Sequence, residues 1–88
     1  MALYDTCREL EELLREANYQ YQKFDIDVEG EKGANFLVDT SRCGYDALIS
    51  SLSSIGKVSD QDGEADFKFK RQSFLIRDSG GATHIEPC

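Results

Sequence analysis

The chain has 88 residues, with 17 Asp or Glu against 10 Lys or Arg, a net charge of -7 and a pI near 4.5. That length suits one domain with a modest core, burying roughly 60 to 65 % of the unfolded surface, and disfavours a deep substrate cavity. A hydrophobic content of 40 % with four Tyr and five Phe excludes disorder for want of apolar surface, and charge interrupts every apolar cluster well short of a membrane span.

Leu3, Cys7, Leu10, Leu14, Ala17 and Tyr21 recur at spacings of four and three, which predicts an amphipathic helix from about Ala2 to Gln20. Glu11 and Arg15, and Arg8 and Glu12, are spaced as i,i+4 pairs on it. The stripe is too short for a self-standing coiled coil, so packing on a sheet is expected. The period then falls to two. Phe24, Ile26 and Val28 alternate with Asp25, Asp27 and Glu29, predicting a half-buried strand whose other face is acidic. Gly30 to Gly33 supplies a reversal, and Asn35 to Asp39, with Phe36 and Val38 on one face, returns as the antiparallel partner.

Thr40 and Ser41 are N-cap types, and Tyr45, Leu48, Ile49, Leu52 and Ile55 place one apolar stripe on a second helix over about Arg42 to Ile55. Its serine-rich outer face makes it dependent on docking. Residues 57 to 66 are the most polar stretch and carry an Asp62-Gly63 turn signal, so an exposed loop or hairpin tip is expected. Phe67 and Phe69 share one parity, Phe74 and Ile76 the other, and a bulge or tight turn near Arg71-Gln72 must separate them. Ser79-Gly80-Gly81 reverses the chain into Ala82 to Glu86, which Pro87 ends. The fold class expected is α+β, a single domain over 1–88: an antiparallel sheet of four to five strands with two helices on one face, in the order α-β-β-α-β-β.

Met1 to Asp5 carries acid early and lacks the basic and apolar regions of a secretory leader. Cys7, Cys43 and Cys88 are an odd set without a CxxC pair, which argues for a reducing, cytoplasmic setting and against a disulfide framework or zinc site. Cys7 lies on the first apolar stripe and reads as core. Cys88 is expected to be exposed and placed for an intermolecular disulfide on oxidation.

Net negative charge disfavours nucleic acid, although residues 67–88 hold four bases against two acids. Phe67-Lys68-Phe69-Lys70-Arg71 interleaves rings with Lys68, Lys70 and Arg71, a pattern able to stack bases; a two-faced strand with the phenylalanines in the core explains it more simply. Asp60, Asp62, Glu64 and Asp66 invite a calcium reading, but aligning Gly63 with the EF-hand glycine puts Val58 and Phe69 at ligand positions, so no metal site is expected. Cys43 beside Gly44 at the start of the second helix, with His84 as the base, is the best thiol-enzyme candidate, yet no family signature surrounds it. Asp25, Asp27 and Glu29 could occupy a basic groove on another protein, as an acidic inhibitor or immunity-type protein does. The residues favour a non-catalytic module whose partner is a second copy, through a sheet edge or the first helix, or another protein. They imply no cofactor, membrane or small-molecule ligand.

Overall fold

The computed structural model describes residues 3–88. Helix α1 (Leu3–Glu16) precedes strands β1 (Tyr21–Val28) and β2 (Glu31–Asp39). Helix α2 (Tyr45–Ser53) then leads into β3 (Lys57–Gln61), β4 (Glu64–Phe69), β5 (Gln72–Asp78) and β6 (Ala82–Pro87). All six strands join one antiparallel sheet in the order β1-β2-β6-β5-β4-β3. The α+β class and the antiparallel sheet match expectation. The strand count does not: residues 57–66 form the β3-β4 hairpin, so the sheet has six strands rather than four to five and the order is α-β-β-α-β-β-β-β. The polar composition of β3 concealed it because β3 is an edge strand, and Val58 is the one of its residues that is not exposed.

Along β2, Ala34, Phe36 and Val38 are buried, in register with Ile85 and Thr83 of β6; Phe74 and Ile76 of β5 and Ala65, Phe67 and Phe69 of β4 continue the same core. Leu10 and Leu14 of α1 and Leu48 and Leu52 of α2 join them in one cluster. The helices thus cover one face, and the other is uncovered. The β1 strand corrects the expected phase. Phe24 is half-exposed, while Tyr21, of the opposite parity, packs its ring on Phe36 at 6.1 Å. Val28 nevertheless reaches the core at the far end. β2 pairs with β6 only over Phe36–Asp39, so the outer part of the β1-β2 hairpin is a two-stranded ribbon, and at its tip Glu31 Oε1 accepts a 3.4 Å hydrogen bond from Leu3 N–H at the start of α1. Gly33 lies inside β2 there, where a Cβ would fall 2.7 Å from Leu3 Cδ2.

Four reversals, Glu29-Gly30, Asp62-Gly63, Lys70-Arg71 and Gly80-Gly81, have positive φ at both residues, the pattern whose twist matches that of paired strands. The first replaces the turn expected over Gly30 to Gly33. Lys70-Arg71 is the break expected near Arg71-Gln72, made without glycine at a cost of about 1 kcal/mol per residue. Contact of Lys70 Nζ with Glu9 Oε1 and Oε2, at 2.5 and 2.6 Å, helps hold it.

The expected start of α1 at Ala2 lies outside the described residues. The helix ends at Glu16 rather than Gln20 because Asn18 adopts a left-handed conformation (φ 61°). Asn18 N–H donates to Arg15 O and Tyr19 N–H to Leu14 O, each at 3.0 Å, a complete Schellman stop. Asn18→Gly is expected to stabilise by about 0.5 kcal/mol, raising Tm by about 2–4 °C in calorimetry; a lowered Tm would show that the Asn side chain contributes more than its backbone costs.

Helix α2 is shorter than expected, with Gly44 as its N-cap and no side-chain cap. Thr40 is not a cap: its hydroxyl is buried and shares a 3.0 Å hydrogen bond with that of Thr83. Ser41 N–H and Oγ–H donate to Asp39 Oδ1 instead, and the Ser51 and Ser53 hydroxyls donate back to Ala47 O and Ile49 O.

Candidate functional site at the free edge of strand β1

β1 and β3 are the two sheet edges. Because the two-residue turn at Glu29-Gly30 makes Val28 and Glu31 a hydrogen-bonded pair, the even-numbered residues of β1 bond to β2 and the odd-numbered ones face outward. The Asp39 N–H to Gln20 O bond at 2.8 Å keeps that phase. The N–H and C=O groups of Tyr21, Lys23, Asp25 and Asp27 are therefore the ones directed to the free side. Such an edge is a template for another strand.

Alongside it, between α1 and β1, runs a groove of about 510 Å³ bordered by Tyr4, Arg8, Lys23, Asp25, Ile26 and Asp27. Among the described residues the two large apolar side chains with half their surface exposed are Tyr4 and Phe24, each at 50 %, on α1 and β1. Beside Lys23, the Glu11 carboxylate of α1 accepts a 2.8 Å hydrogen bond from Tyr21 Oη–H and lies 3.5 Å from both Lys23 Nζ and Arg15 Nη2. Burial pushes the Glu11 pKa up, but Tyr21, Lys23 and Arg15 together outweigh it and hold the value below that of an ordinary carboxylate.

A lowered folded-state pKa contributes stability above the unfolded value near 4.5 and loses it as pH falls through the folded value. Glu11→Gln is accordingly expected to be less stable than wild type at neutral pH, with the gap narrowing in urea melts as pH falls below the ordinary carboxylate value near 4.5. A gap independent of pH would assign the loss to shape rather than charge.

The expected acidic residues do come together: Asp25 and Asp27 are exposed on β1, and Glu29 stands in the turn at its end. They do not form an unbroken acidic array. Asp27 pairs across the hairpin with Lys32, and Lys23 and Arg8 border the same groove. Lys68, Lys70 and Arg71 do not form one surface with the rings, although Lys70 Nζ lies 5.6 Å from the Phe69 ring centroid. Lys68 is exposed on β4 opposite Lys57, Lys70 reaches α1, and Arg71 is exposed in the turn, while Phe67 and Phe69 are 0 % and 8 % exposed in the core.

Cys43 lies before the N-cap of α2, not at the helix start, and is exposed beside a hollow of about 180 Å³ with Asn18, Asp39 and Arg42. His84 does not border that hollow; it is exposed in mid-β6, between Leu37 and Arg77. Cys7 is buried as expected, and burial pushes its pKa up. Burial, then Asp66 and Glu86, also raises the pKa of Cys88, which slows thiolate chemistry there. Tyr4 and Lys23 were missed by sequence reasoning. Lys23 was detectable as the one base in an otherwise acidic alternation, whereas Tyr4 carries no signal apart from the helix.

Among the described residues no three His, Cys, Asp or Glu side chains are placed to hold a metal ion, and no helix is long and apolar enough to cross a membrane. No family model matches the chain, and neither a curated protein nor a solved structure matches it significantly.

Proposed function

We propose that the protein is a non-catalytic module acting by contact with protein, with self-association as its first mode. The observation that carries this reading is the free β1 edge, with unpaired backbone groups along it and a half-exposed aromatic on the strand and on the helix beside it. The separation of Cys43 from His84 counts against a thiol mechanism that uses this pair. A second reading, an acidic inhibitor occupying a basic groove, draws on Asp25, Asp27 and Glu29 along the same edge. The bases among them favour a partner of mixed charge instead.

Light scattering on size-exclusion fractions across about two decades of concentration tests self-association. The mass is expected to climb from 9.9 kDa toward twice that value. A constant 9.9 kDa up to high micromolar concentration would overturn it.

A further inference from the structure

We infer that two copies join through β1, antiparallel about a twofold axis at Phe24, so that the two sheets become one continuous sheet; this rests on the self-association reading above. Only the outward-facing residues can pair, so the registers open to a β1-β1 contact are those matching odd residues with odd. In one of them Lys23 of each copy faces Asp25 of the other, Tyr21 faces Asp27, and Phe24 meets its own copy. Sliding by two residues either way sets Lys23 against Lys23 or Asp25 against Asp25. Opposite charges directly across strands attract and like charges repel, so the edge is complementary to itself in the Phe24-centred register.

The remaining geometry agrees with this register. Phe24 falls at a non-hydrogen-bonded position, where facing side chains approach most closely, and its half-exposed ring gains a ring to cover it. The Lys23 ammonium is already held 3.5 Å from the Glu11 carboxylate of α1, which reduces what must be ordered on pairing. β3, the opposite edge, is five residues long and has no half-exposed aromatic.

The test is a charge exchange read by light scattering. Lys23→Asp and Asp25→Lys each set like charges across the axis and are expected to weaken the dimer about tenfold or more. Mixing the two variants sets carboxylates against ammoniums again, and a heterodimer of wild-type strength is expected. Phe24→Ser, at an already half-exposed position, is expected to weaken the dimer similarly; it carries the test with Asp25→Lys if Lys23→Asp, placed beside Glu11, unfolds in circular dichroism.

A wild-type dimer that Asp25→Lys and Phe24→Ser leave intact, or folded variants that fail to recombine, would overturn pairing through β1 and leave self-association standing. A wild type that stays at 9.9 kDa would overturn both.

Discussion

Phe67→Ala is expected to cost about 3–5 kcal/mol, a large share of the whole stability of a domain this size. Phe67 has no exposed surface, stacks on Phe69 at 6.0 Å between ring centroids and lies 5.9 Å from the Phe74 ring. It sits in β4, faces Phe74 across β5 and Val58 across β3, and belongs to the core that covers Leu48 and Leu52 of α2. Truncation would remove its own burial and leave a void among neighbours that also support the edge hairpin. Urea melts should show a lower midpoint with little change in slope. A loss below about 1 kcal/mol would mean that α2 collapses onto the sheet more easily than this packing implies.

Gly56→Ala is expected to destabilise by about 2–3 kcal/mol through overpacking. A Cβ at Gly56 would stand only 2.4 Å from Lys68 O and 2.7 Å from Phe67 Cε1. The first obstacle is backbone inside the β3-β4 pair and cannot swing aside as a flexible side chain can. Gly56 follows α2, its N–H donating to Leu52 O at 3.1 Å, and its role is close approach to β4. The two substitutions share Phe67, so their costs should fall short of adding, with the clash at Lys68 O keeping the double variant below Phe67→Ala alone. Strict additivity, or a Gly56→Ala protein as stable as wild type, would contradict a junction held that tightly.

Much of this core is legible in the sequence because burial imposes a period. Leu3, Cys7, Leu10 and Leu14 face inward at helical spacing, Phe36 and Val38 at strand spacing, and Leu48 and Leu52 on the second helix. An edge strand escapes the same logic: β3 needs one apolar contact, from Val58, and is otherwise as polar as a loop. The phase of β1 escapes it for a related reason. Alternation identifies Phe24, Ile26 and Val28 as one face, yet which face meets the core depends on register with β2 and on the twist of a ribbon that β6 does not reach. Asn18 could have been read as the αL stop of α1.

The candidate site was legible in its parts and not in its assembly. Asp25 and Asp27 are exposed although they share the parity of Tyr21, which packs on Phe36, and the freedom of their edge is not written in the alternation. That freedom depends on β6 inserting between β2 and β5, a pairing between residues far apart in the chain, as Phe36 with Ile85 shows. Lys23 acquires its meaning only when Glu11 and the outward-facing backbone are seen together.

Residue-resolved amide exchange on the wild-type protein tests the account most directly, because edge pairing acts on alternate amides of one strand. At concentrations where the mass is dimeric, the Lys23 and Asp25 amides should be protected and should become labile on dilution. Those of Gln22, Phe24 and Ile26, bonded to β2, should stay protected in both states. Lys23 and Asp25 amides that exchange freely while the protein is dimeric would contradict it.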